Sequence, residues 1–255
     1  MQMHRPAPSL LGERLRRPVL ARRRVLGLCT FGAGCLALVV ASAAALGGVR
    51  PATLFAQNQA VTISVAVSDT FTGASGTNLT AHTSDTGQSW TQSAGSFTLT
   101  GSAGAKSGTN SAISAAWLTT GLTAGSYTAS VIMSQPNNPA CCGGLYLNVD
   151  ATGASGISVI WYDDTGGRIV IGKRNGATIT ALQTFTGVGL PAVNLAMPLK
   201  VTYLAGTYTI RFMGNLVGSY TLSAPDLATY GGSTRSGIIV DKNNKIVLSA
   251  FQVGP

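Results

Sequence analysis

The sequence predicts an all-β fold, an antiparallel two-sheet β-sandwich preceded by an N-terminal hydrophobic helix. Three observations support this prediction. Short runs rich in β-branched residues alternate apolar and polar side chains, as half-buried strands do. The chain has 32 Gly and only 10% charged residues, and Gly, Ser, Thr and Asn separate the runs. Beyond residue 56, no stretch keeps a helical apolar period for three turns.

Residues 1–56 differ from the rest of the chain and predict an export signal or a membrane anchor. They hold eight Arg and one acidic residue, and the Arg-rich part, 1–24, precedes an uncharged apolar run at 25–49. This order is typical of a bacterial export signal, and Ala43–Ala45 supplies a small-residue cleavage site. Because about 20 apolar residues suffice to span a bilayer, an uncleaved anchor stays open as well. In both cases the positive-inside rule places the chain from residue 57 onward outside the cytoplasm, secreted or anchored at the cell surface.

The distribution of charge excludes nucleic acid as a partner. The formal net charge is +9, but beyond residue 56 nine Lys and Arg stand against seven Asp. These basic residues are scattered over different runs, whereas a groove that follows a phosphate backbone needs clustered positive charge. Membrane contact is expected only through the N-terminal segment.

Strand-like runs recur over the rest of the chain at the spacing of a β-sandwich. Residues 57–65 are interpreted as a link and the first strand, and 66–255 as one sandwich or jelly roll. About a dozen strands in this length predict one domain, not two. The runs are 61–68, 96–100, 111–120, 126–134, 144–150, 157–162, 168–173, 177–185, 199–204, 207–212, 215–222, 236–240 and 245–253.

The most distinctive string is DTFTGASGTNLTAHTSDTGQSW, from Asp69 to Trp90. It combines two turn regions with the aromatic residues Phe71 and Trp90, and it contains His82 and Asp85. We interpret it as a structural motif that starts and orients the first strands. A packing or hydrogen-bonding role is favoured for His82 over a chemical one.

This string resembles the opening of bacterial and phage domains of the concanavalin A-like lectin/glucanase superfamily, the laminin-G-like jelly rolls. Later stretches are similar to the same group: WYDDTGGRIVIGKRNGATITAL at 161–182, the hairpin at 199–212 and the final strand ending Phe251-x-Val253. The resemblance implies two antiparallel sheets in which the first and last strands are neighbours. It implies no single function, because the superfamily includes glycan-binding, glycan-cleaving and purely structural or adhesive domains.

The carboxylates argue against a glycosidase of the familiar kind. Retaining enzymes need two carboxyl groups about 5 Å apart, and glucanases of this superfamily carry an E-x-D-x-E pattern. No Glu follows Glu13, and the seven Asp form no D-x-D pair. Asp163 and Asp164 are adjacent and precede Thr-Gly-Gly, so they are interpreted as turn formers. His82 is the only histidine beyond the leader, which excludes a zinc site built on several histidines.

Carbohydrate recognition would use exposed aromatic rings beside Asp or Asn side chains. The candidates form two groups: Tyr146, Asn148 and Asp150 on the outward face of one strand, and Trp161, Tyr162, Asp163 and Asp164 at the end of another. Of the adjacent pair Trp161 and Tyr162, one is expected to be buried and one exposed. The alternative is that the tryptophans belong to the core, and this is favoured for Trp90.

No cofactor is expected. A calcium site from Asp150, Asp163 and Asp164 is conceivable, but the spacing of a dedicated calcium loop is missing and turn chemistry explains these residues. Adjacent Cys141 and Cys142 leave three alternatives open: a strained vicinal disulfide, a bond between chains, or a surface pair with no mechanistic role.

The sequence therefore favours an exported, non-catalytic binding module whose partner is a glycan or a cell-surface polymer. The alternative is a structural or adhesive envelope or appendage protein without a small ligand. A glycan-active enzyme of unfamiliar type is the third interpretation.

Overall fold

A computed structural model of the protein describes residues 66–109, 112–135, 142–164, 166–242 and 245–255. In these ranges it contains fifteen strands, a short 3-10 helix at Leu79–Ala81 and one α-helix, α1, at Ala224–Tyr230. The strands are β1 (Val67–Asp69), β2 (Thr91–Ala94), β3 (Phe97–Leu99), β4 (Ala105–Ser107), β5 (Ile113–Thr119), β6 (Ser126–Ser134), β7 (Gly143–Leu147), β8 (Ser155–Tyr162), β9 (Arg168–Asn175), β10 (Thr178–Thr186), β11 (Met197–Leu204), β12 (Thr207–Phe212), β13 (Asn215–Thr221), β14 (Arg235–Asp241) and β15 (Val247–Gly254).

The strands form two antiparallel sheets, which confirms the predicted fold class. The eight-stranded sheet has the order β13-β12-β11-β6-β15-β4-β3, with β1 also paired to β15. The seven-stranded sheet has the order β10-β9-β8-β7-β14-β5-β2. Strand β1 pairs with β15 from Val67 opposite Val253 to Asp69 opposite Phe251, so the first and last described strands are neighbours as expected.

The main core lies between the two sheets. Strand β11 shows the alternation that builds it, because every second residue from Met197 to Tyr203 is buried and the residues between are exposed. Trp161 of the seven-stranded sheet stacks on Phe212 of the eight-stranded sheet with ring centroids 6.0 Å apart. Burial of one such large apolar side chain contributes roughly 1.5–3 kcal/mol, so these inward-facing rows hold the sheets together.

A second, smaller apolar cluster covers the outer face of the seven-stranded sheet. Two glycines leave room for its side chains to pack against the sheet. A Cβ on Gly156 would lie 2.7 Å from the Tyr146 ring, and one on Gly172 would lie 2.8 Å from a methyl group of Ile179, so a larger residue would clash at either position. Strand alternation alone predicts a wetted outer face, and this prediction is wrong here. The cluster consists of Ile113, Ala115, Cys142, Tyr146, Val149, Ile160 and Ile239.

Helix α1 was not predicted from the sequence, since two turns are too short for a clear apolar period. Its N-terminus nevertheless carries a local signal. The Ser223 hydroxyl caps the helix by accepting a hydrogen bond from the Asp226 backbone N–H, and Pro225 lies in the first turn. Asp226 also accepts a hydrogen bond of 3.0 Å from the Lys173 ammonium group, which ties the helix to β9.

The N-terminal predictions, residues 1–56 and 57–65, lie outside the described residues. Within the described ranges, no helix has both the length and the apolar character needed to cross a membrane.

Candidate functional site

The outer face of the seven-stranded sheet contains a groove of about 350 Å³. We call it the Tyr162 groove. It combines an apolar wall with charged and hydroxyl groups, the mixture that small-molecule sites use for contact area and orientation. Its lining residues are Ile113, Tyr162, Arg168, Val170, Ala177, Thr178, Ile179, Ala181, Asp241 and Lys242.

The centre of the groove is the contact between Tyr162 and Asp241. Tyr162 ends β8 and Asp241 ends β14, and β7 lies between these strands in the sheet. The Tyr162 hydroxyl donates a hydrogen bond of 2.9 Å to the Asp241 carboxylate. Burial, followed by the negative charge and hydrogen bond of Asp241, raises the pKa of Tyr162 well above its usual value. The phenol therefore stays protonated and keeps its hydrogen bond to the Asp241 carboxylate.

Arg168 covers one face of the Tyr162 ring, with its guanidinium carbon 4.2 Å from the ring centroid. Asp164 holds this guanidinium across the β8–β9 turn, with Nε 2.7 Å from Oδ1 and Nη2 2.8 Å from Oδ2. This hydrogen bond raises the pKa of Arg168 and lowers the pKa of the Asp164 carboxyl group. Asp164 thus positions a groove residue, although it does not line the groove itself.

The turn that carries Asp163 and Asp164 has the chemistry predicted for it. The Gly167 N–H donates a hydrogen bond of 2.8 Å to the Asp164 carbonyl. Gly167 has a φ of +80°, and a Cβ there would lie 2.1 Å from the Gly189 carbonyl oxygen, so only glycine fits. Asp163 is half-buried and Asp164 is exposed.

A second cavity adjoins the groove, and we call it the Arg174 pocket. It has a volume of about 270 Å³ and shares two lining residues with the groove, Ile113 and Ala177. The two cavities are therefore neighbours on one face of one sheet. The residues that line the pocket are Ser93, Ala94, Gly95, Ala112, Ile113, Ala154, Arg174, Gly176 and Ala177.

Tyr146 and Arg174 form a buried polar network beside this pocket. Arg174 Nη1 donates hydrogen bonds to the Tyr146 hydroxyl at 2.9 Å, the Gly153 carbonyl at 2.6 Å and the Ser93 hydroxyl at 3.1 Å. The Tyr146 hydroxyl donates to the same carbonyl at 3.0 Å. Burial raises the pKa of Tyr146 to about 12, although the Arg174 charge opposes the shift. The exposure expected for Tyr146 is wrong, because Gly153 and the outer apolar cluster cover it.

Asn148 is also buried, which contradicts the outward position expected for it. Its side-chain oxygen accepts hydrogen bonds from the hydroxyl groups of Tyr127 at 2.5 Å and Tyr208 at 2.7 Å. Its amide donates to the Ser233 carbonyl at 3.2 Å. The two tyrosines belong to β6 and β12 of the other sheet, so Asn148 is a polar link across the main core.

Asp150 closes the loop between β7 and β8. Its carboxylate accepts hydrogen bonds from the Thr152 hydroxyl at 2.9 Å and from the backbone N–H of Ser155 at 3.1 Å. Strand β8 separates this loop from Asp163 and Asp164, and its eight residues span about 26 Å at 3.3 Å per residue. One calcium ion therefore cannot bind all three carboxylates. No group of three or more His, Cys, Asp or Glu suited to a metal occurs among the described residues.

The prediction for the adjacent pair Trp161 and Tyr162 is confirmed. Trp161 is fully buried in the main core against Phe212, and Tyr162 is partly exposed on the other face of β8. A ligand-binding role for Trp161 is therefore incompatible with its position. Of the seven residues predicted to bind a ligand, Tyr162 lines a cavity.

The opening motif forms a buried cluster in which Asp69 is the common acceptor. Its Oδ1 accepts hydrogen bonds from the Phe71 N–H at 2.6 Å and contacts His82 Nε2 at 2.9 Å, and its Oδ2 accepts one from the Trp90 indole at 2.6 Å. Trp90 packs on Phe71, with ring centroids 5.6 Å apart. Exposed Asp85 caps the Thr70 N–H at 2.9 Å. None of these residues lines either cavity, which supports the structural interpretation of the motif.

Cys142 is disulfide-bonded and belongs to the outer apolar cluster. Cys141 lies outside the described residues, so the predicted vicinal pair stays a prediction.

Sequence reasoning missed four charged residues of the two cavities: Arg168, Arg174, Asp241 and Lys242. The two-residue period of a strand could have placed the two arginines on the same side of the sheet. Arg168 and Arg174 share one face of β9 with Val170 and Gly172. The period could not show that the neighbouring strands place Asp241 and Tyr162 side by side.

No protein-family model and no curated protein matches this chain. Among solved structures, it is similar to the carbohydrate-binding module CBM66 from Bacillus subtilis, with a TM-score of 0.50 and 12% identity over 65% of this chain and 95% of that one. The exoplasmic/lumenal domain of VIP36 has a TM-score of 0.46 and 10% identity over 71% of this chain and 89% of that one. A mutant of the alginate lyase Aly36B has a TM-score of 0.47 and 9% identity over 75% of this chain and 98% of that one. The described part of the chain thus has a two-sheet β-sandwich fold similar to that of CBM66, in agreement with the fold class predicted from the sequence.

Proposed function

We propose that this chain is an exported, non-catalytic carbohydrate-binding module that binds a glycan or cell-surface polymer in the Tyr162 groove. The observation that carries the proposal is the Tyr162–Asp241 hydrogen bond beside the apolar side chains of Ile113, Val170 and Ile179. The fold shared with a carbohydrate-binding module adds support at the level of architecture only.

The groove has both the apolar surface and the polar groups that a sugar ring needs as binding partners. The C–H faces of a pyranose pack against apolar surface, here the side chains of Ile113, Val170 and Ile179. Its hydroxyl groups need donors and acceptors in fixed positions, here the Asp241 carboxylate, the Lys242 ammonium and the Thr178 hydroxyl. Because Arg168 and Asp241 hold the Tyr162 ring from two directions, the polar side of the groove is preorganised.

The composition of the groove supports binding without cleavage. Among the described residues that line the groove, Asp241 is the only carboxylate and none is a histidine. Hydrolysis with retention needs a second carboxyl group about 5 Å away, and inversion needs one at about 6.5–9.5 Å. The proposed location outside the cell is supported by residues 1–49, in which an Arg-rich segment precedes an apolar segment, as in an export signal.

The test measures binding of the full-length chain to a panel of immobilised polysaccharides, with the variants Tyr162→Ala and Asp241→Asn. Each substitution is expected to weaken binding about tenfold or more, the effect of losing one hydrogen bond to a charged group. Tyr220→Ala is the matched control, because Tyr220 is a half-buried tyrosine on β13 of the other sheet.

Failure of the unmodified chain to bind any saccharide would reject the proposal and favour the structural or adhesive alternative. An equal loss in Tyr162→Ala and Tyr220→Ala would place the binding site elsewhere. Release of reducing sugar from a bound polymer would contradict the non-catalytic assignment.

A further inference from the structure

Arg174 is a buried cation without an ion-pair partner among the described residues. Its relative exposure is 1%. The ion pairs found in the described ranges join His82 to Asp69, Arg168 to Asp164 and Lys173 to Asp226, and none involves Arg174. Arginine stays charged at any physiological pH, and burial of an unpaired charge is costly. Within the described part of the chain, no carboxylate pairs with this charge.

The hydrogen bonds of Arg174 leave part of its guanidinium unused. Nη1 makes all three side-chain bonds, to Ser93, Tyr146 and Gly153. Nε is buried and has no hydrogen-bond partner, and Nη2 donates to no described residue. The side chain is held firmly through one nitrogen, which also places its carbon 5.1 Å from the Tyr146 ring centroid. The remaining N–H groups are those that an arginine offers to a carboxylate or sulfate.

The Arg174 pocket gives a ligand access to this group. Its other lining residues are small or apolar apart from Ser93, and they include no Asp or Glu that would compete for the guanidinium. The pocket shares Ile113 and Ala177 with the Tyr162 groove, so a molecule held in the groove can extend into it. Arg174 is the only charged side chain among the described residues that line the pocket.

We propose that the Arg174 pocket binds the anionic substituent, a carboxylate or a sulfate ester, of an acidic saccharide whose neighbouring ring occupies the Tyr162 groove. This inference rests on the proposed function, because it takes the groove as the site of the sugar. It adds the class of ligand: an acidic polymer is preferred over its neutral counterpart. The preference comes from one buried cation and not from the overall charge of the sandwich, which is close to balanced beyond residue 56.

The experiment compares three oligosaccharides on the full-length chain by isothermal titration calorimetry: a uronate oligomer, the same oligomer with its carboxyl groups reduced to alcohols, and a sulfated oligomer. The unmodified chain is expected to bind at least one acidic oligomer about 10- to 100-fold more tightly than the reduced oligomer. Whether the uronate or the sulfated oligomer binds more tightly identifies the anion.

Arg174→Met removes the charge and is expected to abolish this preference while leaving the affinity for the reduced oligomer within about twofold. The control is Arg235→Met. Arg235 lies on β14 and stacks on an aromatic ring, with its guanidinium carbon 5.4 Å from the Trp117 centroid, but it lines neither cavity. Its variant should keep the preference. Equal affinity of the unmodified chain for acidic and reduced oligomers, or a preference that survives in Arg174→Met, would overturn the inference.

A second variant keeps the test decisive if Arg174→Met does not fold. Ala177→Asp introduces a carboxylate at an exposed position that lines the pocket, and it should remove the preference by pairing with Arg174.

If the unmodified chain binds no oligosaccharide, the proposed function fails. Thermal unfolding of the chain with free glucuronate and with sulfate then tests the pocket alone. A saturable rise in Tm that is absent in Ala177→Asp would support an anion site, whereas no rise would reject it.

Discussion

The indole N–H of Trp90 donates a hydrogen bond of 2.6 Å to the carboxylate of Asp69, which lies 21 residues earlier in the chain. The same carboxylate accepts from the Phe71 N–H and contacts His82. Because Asp69 ends β1 and Trp90 packs on Phe251 of β15, with ring centroids 5.3 Å apart, this contact joins the opening motif to the last strand. Asp69 is therefore a structural residue where the first described strand, β1, pairs with the last strand, β15.

Replacement of Asp69 by alanine is expected to lower the free energy of unfolding by about 3–5 kcal/mol. Buried donors on Phe71 and Trp90 would lose their acceptor, and each such loss costs about 1–3 kcal/mol. The contact with the half-buried His82 ring would be lost as well. Urea denaturation of the variant and the unmodified chain measures the difference.

Asp85→Ala is the control for this prediction. Asp85 also accepts two hydrogen bonds, from the N–H and hydroxyl of Thr70, but it is exposed, so water replaces the lost contacts. Its loss should cost about 1 kcal/mol. Similar losses in the two variants would mean that Asp69 is not a buried anchor.

The sequence was sufficient to predict the two-sheet architecture and the core side of many strands, because alternation specifies which residues share a face. It was not sufficient to predict whether the outer face meets water. Tyr146 was expected to be exposed since Leu145 and Leu147 point to the core, yet Gly153 and the outer apolar cluster cover it. One available signal was β8, where Ile157 to Trp161 is almost continuously apolar, a pattern of strands buried on both faces.

The candidate site was predictable only in part for a related reason. Tyr162 was identified together with Trp161, because adjacent strand residues face opposite sides and one of the two was expected to be exposed. Its partner Asp241 lies 79 residues later in a stretch that reads as a turn, and only the strand order β8-β7-β14 brings the two together. Single-sequence patterns contain local periods and turn chemistry, but pairing between distant strands depends on the packing of the whole sheet.

Replacement of Asn148 by alanine is expected to lower the free energy of unfolding by about 3–4 kcal/mol. The hydroxyl groups of Tyr127 and Tyr208 would lose their acceptor in the core, and the backbone at Asn148 has a φ of +48°, which alanine tolerates less well. Thermal or denaturant unfolding provides the measurement. Asn194→Ala separates the two effects, because Asn194 has a φ of +63° but is exposed. It should cost about 1 kcal/mol, and an equal loss at both positions would assign the whole effect to the backbone.

The buried phenol of Tyr146 predicts a loss of stability in alkali. Its pKa is raised to about 12 by burial, against about 10 in the unfolded chain. Above pH 10 the unfolded state therefore binds fewer protons than the folded state, and the stability present below pH 10 is lost as the pH rises to about 12. One such group contributes a slope of about 1.4 kcal/mol per pH unit in this window.

In Tyr146→Phe the free energy of unfolding, measured by urea denaturation from pH 7 to 12, should decline less steeply by about this amount above pH 10. Below pH 9 the two curves should run parallel, offset only by the lost hydrogen bonds to Arg174 and Gly153. Curves that stay parallel up to pH 12 would show that Tyr146 ionises in the folded chain as readily as in the unfolded one.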